Sequence, residues 1–364
     1  MRKSWVLALG LVVPGCADAQ DPQNAGGIAP EPLSAAPFRL EQVAQFDTPW
    51  AVAPLPDDRL LVSTKPGELW LVSSGAAEQV SGVPEVQYSG QNGFLDIAPA
   101  PDFEQSSQVY FTYVSPGNAL VLARARLGEG RLEGTETIWS QTPGGRGQPG
   151  GIIAFGADGM LYLTVGDRMQ PDTAQDPDNP RGKVLRMTRD GAPAPGNPWA
   201  DQGGVRALSY TTGHRNPYGL VFGAGGALWL HEMGPRGGDE LNRLEPGKNY
   251  GWPEVSNGRQ YSGLPIPDHD TRPEFAAPTL WWDPVIAPSG MIAVSGEAWP
   301  DWRGSLLIGG LRGEGLVRVS PDGTQQLDRW DLGMRVRDVA EDEAGALWII
   351  EDSEEGGLYR LMPK

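Results

Sequence analysis

"GADGMLYLTVG", residues 156–166, is the stretch that decides the fold. Asp158 and Gly159 mark a tight turn, after which Leu161, Leu163 and Val165 alternate with Tyr162 and Thr164, the two-residue period of a strand. The same turn-then-strand theme returns as "PLPDDRLLVS" (54–63), "QSSQVYFTYV" (105–114), "GAGGALWLHEMG" (223–234), "DWRGSLLIGGL" (301–311) and "DEAGALWIIED" (342–352). With Leu61, Tyr110, Tyr162, Trp229, Leu307 and Trp348 taken as equivalent points, the steps are 49, 52, 67, 78 and 41 residues. Each copy follows another short apolar run ("PWAVAPL", "GFLDIAPA", "GGIIAF", "NPYGLVF", "SGMIAV", "RVRDVAED"), and four precede a third ("GELWLV", "KVLRM", "GLVRV", "GLYRL"). Six copies of a unit of three or four strands predict an all-β, six-bladed β-propeller. A large β-sandwich would not repeat one strand-turn-strand unit so regularly. The two long steps predict loop insertions in blades three to five, over one mouth of the central channel, where a site should be sought.

Composition agrees. Among 364 residues there are 50 Gly and 34 Pro, and no amphipathic helix of a dozen residues follows the N-terminus. The formal charge of −17 argues against nucleic acid as a partner. At the N-terminus, Arg2 and Lys3 precede the apolar "WVLALGLVV" (5–13), which is too short to span a bilayer and reads as an export signal over residues 1–19. "VPGC" resembles a lipobox that would leave a lipid anchor on Cys16, the sole cysteine, whereas "ADAQ" fits an ordinary signal-peptidase site. Either way the expectation is an exported protein, periplasmic or anchored to the outer membrane. Residues 20–40 read as a polar, Pro- and Gly-rich tether, and 41–364 as the propeller.

The loops carry charge. Arg168, Arg181, Arg215, Arg236, Arg312, Arg335 and Arg337 all stand next to predicted strands. Arg335 and Arg337, two apart, point the same way along a strand. Converging on one mouth of an acidic protein, these arginines would make an anion site; taken singly, each is an ordinary solvated charge. Asp239, Glu240 and Asn242, with Tyr250 close behind, form an oxygen-rich run suited to a hard cation, although the spacing is not that of an EF-hand. There is no G-x-S-x-G elbow, no HExxH, and no G-x-G-x-x-G opening a helix.

"GQNGFLDIAPAPDF", "LTVGDR", "GKVLRM", "GHRNPYGL", "EMGPRGGDELNRLEPGKNYGWP", "PVIAPSG" and "RVRDV" occur in order over about residues 45–362. Together they resemble the soluble quinoprotein glucose dehydrogenases and the periplasmic aldose sugar dehydrogenases. That resemblance implies pyrroloquinoline quinone (PQQ) held with Ca²⁺ over the propeller axis. It also implies oxidation of a sugar C1 hydroxyl to the lactone, with electrons passed to an acceptor. Carried over by position, Arg215, Asn216, Arg312, Arg335 and Arg337 would contact the cofactor and Gln91 the sugar. The carbonyls of Gly234 and Pro235 would ligate one Ca²⁺, and Glu240 and Tyr250 a second.

The resemblance also implies that His214 is a scaffold histidine. The family's base is a histidine at the position where this chain has Gln148, so Gln148 and Arg215 are the candidate catalytic positions. An amide cannot accept the sugar's proton, and losing a general base typically costs about 10²–10⁴-fold. Arg312 stands where the family has Lys, Val285 where it has Ser or Thr, and Met233 where it has His or Gln. His231 and Asp167 are the candidate substitutes for the base. The expectation is thus a PQQ-dependent sugar dehydrogenase with altered chemistry. The alternatives are a Ca²⁺, quinone or sugar-binding propeller without turnover, and, on fold analogy alone, a Ca²⁺-dependent lactonase.

Overall fold

The computed structural model describes residues 35–364, so the export signal, Cys16 and most of the proposed tether lie outside the described residues. Six antiparallel four-stranded sheets follow one another along the chain, and the predicted propeller is what forms. In chain order the inner strands are Pro49–Pro54, Phe94–Pro99, Gly150–Phe155, Pro217–Phe222, Pro288–Ala293 and Val336–Glu341, and each neighbours the next around a closed ring. The equivalence read from sequence holds at the level of register. Leu61, Tyr110, Tyr162, Trp229, Leu307 and Trp348 pair with Ala53, Ala98, Ala154, Val221, Ile292 and Ala340, the corresponding inner-strand positions.

The ring is closed by the chain's two ends. Phe38–Phe46, the first described strand, pairs antiparallel with Gly356–Pro363 and completes blade six as its outermost strand. It starts inside the stretch assigned above to the tether, because Phe38 packs edge-on against Trp299, Trp302 and Trp330. That burial of four aromatic rings outweighs the polar, Pro- and Gly-rich composition by which the stretch reads as a tether.

Every blade junction carries a side chain bonded to the neighbouring blade's backbone. Ser63 donates to Leu95 O at 2.6 Å, Thr112 to Gly151 O at 2.7 Å, Thr164 to Pro217 O at 3.2 Å and Ser289 to Val336 O at 2.6 Å. Asp239 accepts from Ala287 N at 2.7 Å and Asp338 from Val52 N at 2.9 Å. A propeller's inner strands present unpaired backbone groups to their neighbours, and these bonds satisfy them without a continuous ladder. All six inner strands also bulge where they begin. A bulge bends a strand and re-aims its side chains, and here the bulges ring one mouth.

Candidate active site at one mouth

Antiparallel order brings the start of each inner strand, the end of the second strand and the end of the fourth to one mouth. The loops there hold Gln91, Gln148, Asp167, the run His214–Asn216, Met233–Gly238, Arg312, Arg335 and Asp352. The long segment between Leu244 and Leu280 leaves from the opposite mouth but returns to this one, where Tyr250 N donates to Thr212 O at 2.9 Å and Trp252 N to Gly213 O at 3.0 Å. The insertion in blade four therefore adds Trp252 and Tyr261 to the site.

At the centre is a chain of three side chains. With the Gln148 amide turned to the orientation that satisfies both of its ends, its nitrogen donates to Asp167 Oδ1 and its oxygen accepts from Arg215 Nη2 at 2.8 Å. Gln148 sits at φ 40° at the end of its loop, and its backbone N–H donates to Gln91 Oε1 at 2.5 Å. Asp167 is wholly buried, accepting from Trp252 Nε1 at 2.9 Å and from Met169 N at 2.8 Å. Burial raises its pKa above the ordinary carboxylate value, although Trp252 and Arg215 pull the other way.

The Arg215 guanidinium lies within reach of two aromatic rings, with centroids 5.3 Å away at Trp252 and 5.7 Å at Tyr261. It donates to Met233 O at 2.8 Å, Gly234 O at 3.1 Å and Tyr261 Oη at 3.1 Å. Beside it, Asn216 Nδ2 lies 3.6 Å from Met233 Sδ.

Across the mouth, Arg335 and Arg337 both reach Asp352, at 2.6 and 2.5 Å. Arg337 is buried with its guanidinium 4.3 Å from the Trp50 ring centroid, and Lys65 Nζ lies 5.9 Å from the same ring. Burial raises the Asp352 carboxyl, but Arg337 and then Arg335 outweigh it and hold it below the usual range. For Lys65, burial and then the nearby Arg337 lower the pKa. Arg312 is exposed on its turn, next to the loop that carries the half-buried Val285. Three basic groups around one carboxylate leave this side of the mouth cationic within an acidic chain.

The remaining candidates fall into the scaffold beneath. His214 is fully buried, bonded to Glu232 Oε1 at 2.8 Å and Thr211 Oγ1 at 2.9 Å, and its ring stacks on Tyr250. Glu232 also accepts Arg215 N at 2.5 Å, so His214 braces the loop that presents Arg215. His231 packs inside blade four, over Gly219, where an added Cβ would strike its ring. Burial takes its pKa down to about 3. The strand ends at Glu232, and Met233, the next residue, has its sulfur against Asn216 whereas the His231 ring packs over Gly219. The Tyr250 hydroxyl is spent on Arg243 O at 2.6 Å, while its buried ring stacks on His214. Glu240 is buried against His269, 3.2 Å away, and Asn242, 3.3 Å away. Glu240 and Tyr250 do line one small cavity with Glu232 and the Gly234 backbone. Among the described residues no three His, Cys, Asp or Glu side chains gather as a metal site.

Comparison with known proteins decides the lineage. The family model described as glucose/sorbosone dehydrogenase matches residues 46–360. The chain belongs to this family. Within it, the aldose sugar dehydrogenase of Escherichia coli is 36% identical over 341 residues, covering 88% of this chain and 91% of its own. The crystal structure of the soluble E. coli enzyme in its apo form superposes with a TM-score of 0.83 at 33% identity, covering 90% of this chain and all of the other. A PQQ-bound aldose sugar dehydrogenase from Streptomyces coelicolor gives a TM-score of 0.75 at 31% identity, covering 91% and 99%. Family membership makes the mouth with the arginines the place to look for chemistry.

Sequence reasoning did not pick out Asp352, Trp50, Lys65, Trp252 or Tyr261. Asp352 closes the last repeat, "LWIIED", and Trp252 lies within "NYGWP", so each sat inside a stretch already quoted. Trp50 likewise lies in the quoted run "PWAVAPL", whereas Lys65 and Tyr261 carried no motif.

Proposed function

We propose that this chain is a quinone-dependent aldose dehydrogenase in which the family's proton acceptor has been replaced. The observation that carries this reading is the Asp167–Gln148–Arg215 chain facing the Arg335–Asp352–Arg337 cluster across one mouth. The residues present suit a polar, polyanionic cofactor such as PQQ. Asn216 Oδ1 and the Tyr218 hydroxyl are buried next to one another with no further partner, beside a clamp of guanidinium groups suited to bidentate recognition of carboxylates. Arg215, Asn216, Arg335 and Arg337 would hold it, with Arg312 at the edge. A quinone held there would supply a hydride acceptor for the sugar's C1, and with loss of the C1 hydroxyl proton the sugar would become the lactone.

The chain's own part is to seat the sugar and take that proton. Gln91 and Gln148 offer amides to sugar hydroxyls. Gln148 is neutral and already bonded at both ends, so it orients but accepts no proton. Asp167, directly behind it, is the nearest group that can. Because it is wholly buried, a proton reaches it only if Gln148 rotates aside or a water intervenes. Turnover should therefore fall well below that of a histidine enzyme.

Calcium in this reading rests on the backbone carbonyls of Gly234, which here accepts from Arg215, and Pro235, and no step is assigned to it. Export, the lipid on Cys16 and the external electron acceptor belong to the same proposal and rest on the first twenty residues and the resemblance. A second reading, a cofactor-holding propeller without turnover, is favoured by one observation: both ends of the Gln148 amide are satisfied in the protein itself. Purified protein loaded with PQQ in Ca²⁺ and offered a panel of aldoses separates the two. Reduction of the bound quinone supports the dehydrogenase, and binding without reduction supports the other.

A further inference from the structure

Among the described residues five large hydrophobic side chains are exposed, and four of them (Tyr88, Met169, Tyr261 and Leu264) lie on the segments that form this mouth. Exposed apolar groups gathered at one place mark a binding surface, whereas scattered ones need no explanation. Tyr261 is the most exposed of them, at 70%. It stands on the turn Gln260–Leu264, closed by Gln260 N donating to Leu264 O at 2.9 Å, beyond the short ribbon that pairs Gly258–Arg259 with Arg236–Gly237.

The ring's position is held at one point. Arg215 Nη2 donates to its hydroxyl at 3.1 Å and also to the Gln148 amide oxygen at 2.8 Å. One guanidinium nitrogen thus places Tyr261 beside Gln148, and Gln148 N places Gln91 beside both. Met169 and Gln91 flank Gly147 on the far side, each 3.3 Å from where its Cβ would stand. The result is a polar floor of two amides and a guanidinium, walled by an exposed aromatic face and a thioether. A pyranose matches that chemistry, with its C–H groups on one ring face and its hydroxyls around the edge.

We infer that Tyr261 is the platform on which the substrate's sugar ring stacks, with Gln91 and Gln148 reading the hydroxyl edge, so that the preferred substrate is a pyranose with an unbroken C–H face. This deepens the dehydrogenase reading and rests on it. A role confined to anchoring Arg215 would depend on the hydroxyl; stacking depends on the ring. Tyr261→Phe and Tyr261→Leu therefore divide the two.

The test uses the PQQ-loaded protein and has two readouts. Steady-state kinetics on D-glucose give KM and kcat. Saturation-transfer NMR with methyl β-D-glucopyranoside, which has no free C1 hydroxyl to oxidise, reports binding independently of turnover. For Tyr261→Leu the expected result is a KM raised roughly 3- to 10-fold above that of Tyr261→Phe and loss of transfer to the sugar C–H protons. Tyr261→Phe, which keeps the ring and gives up only the bond from Arg215, should keep that transfer, and any fall in kcat should be shared by both variants. Equal KM and equal loss of transfer in Phe and Leu, no change in Leu, or no transfer from the wild-type protein would each overturn the inference. If the wild type reduces no quinone yet shows transfer that Leu abolishes, the dehydrogenase reading fails and the platform stands.

Discussion

The buried carboxylate of Asp167 and the amide of Gln148 are hydrogen-bonded to one another, with Arg215 on the amide's far end. A histidine at position 148 would set an imidazole between a carboxylate and the mouth, which is the arrangement that orients and charges a general base. The amide preserves the geometry of that pairing without its proton chemistry.

Gln148→His should therefore raise kcat, by about 10²-fold if the base is the only thing missing. Stopped-flow bleaching of the bound quinone measures it. No gain in protein that binds PQQ normally would mean that the other departures, at Val285, Met233 and Arg312, also limit the chemistry.

The pH dependence follows from Asp167. It must be ionised to take a proton, and burial, offset in part by Trp252 and Arg215, holds its pKa above the ordinary 3.8. Wild-type kcat/KM should rise with pH through a midpoint above the usual carboxylate range. In Asp167→Asn that limb should vanish, with activity reduced by about 10²-fold or more.

Arg337 is buried between Trp50 and Asp352. Arg337→Met leaves Asp352 bonded to the half-exposed Arg335, with Lys65 nearby, and breaking such a pair should cost about 3 kcal/mol of stability. Urea unfolding of the apo protein checks that figure. If Arg337 holds the cofactor as proposed, PQQ affinity should fall at least about tenfold with the loss of that contact.

Asp96 gives the fold its own pH signature. Burial first, and Asp338 next, push its carboxyl up to about 8 from 3.8, against hydrogen bonds from Ile153 and Ile97. Between those values the native protein holds a proton that the unfolded chain releases. The contribution is thus fully present below about pH 3.8 and is lost as pH rises through about 8. Asp96→Asn, followed by urea unfolding across that window, should show a shallower fall in stability than wild type.

Ring closure depends on Phe38, packed edge-on against three tryptophans. Phe38→Ala should cost about 3–5 kcal/mol, and thermal melting should show blade six loosening with it.

The fold was legible because each blade restates one short pattern. Six turn-then-strand copies locate the second strands, and their partners fall into register at Ala53, Ala98, Ala154, Val221, Ile292 and Ala340. Closure by Phe38–Phe46 was not legible, since no local signal says that a strand pairs with one over 300 residues away. At the site, the arginines and Gln148 stood out as charges and as a departure from a motif. What joins them did not: Asp352 draws Arg335 and Arg337 together from the next turn, and Tyr261 reaches Arg215 from 46 residues further on. Those are relations between loops, set by the order of blades and not by spacing in the chain. His231 shows the converse. Strand alternation alone put it on the face of Met233, but the strand ends at Glu232 and the ring stays in the core.

The central claim is that the cationic mouth holds a quinone that a sugar can reduce. Its most direct test is a titration of the purified apo-protein with PQQ in Ca²⁺, followed by absorbance and then challenged with aldoses. The account predicts saturable binding, weakened in Arg337→Met, and slow bleaching to the reduced quinone on adding a pyranose aldose. No binding at all would contradict it, and would mean that Arg215, Arg335 and Arg337 serve a different ligand.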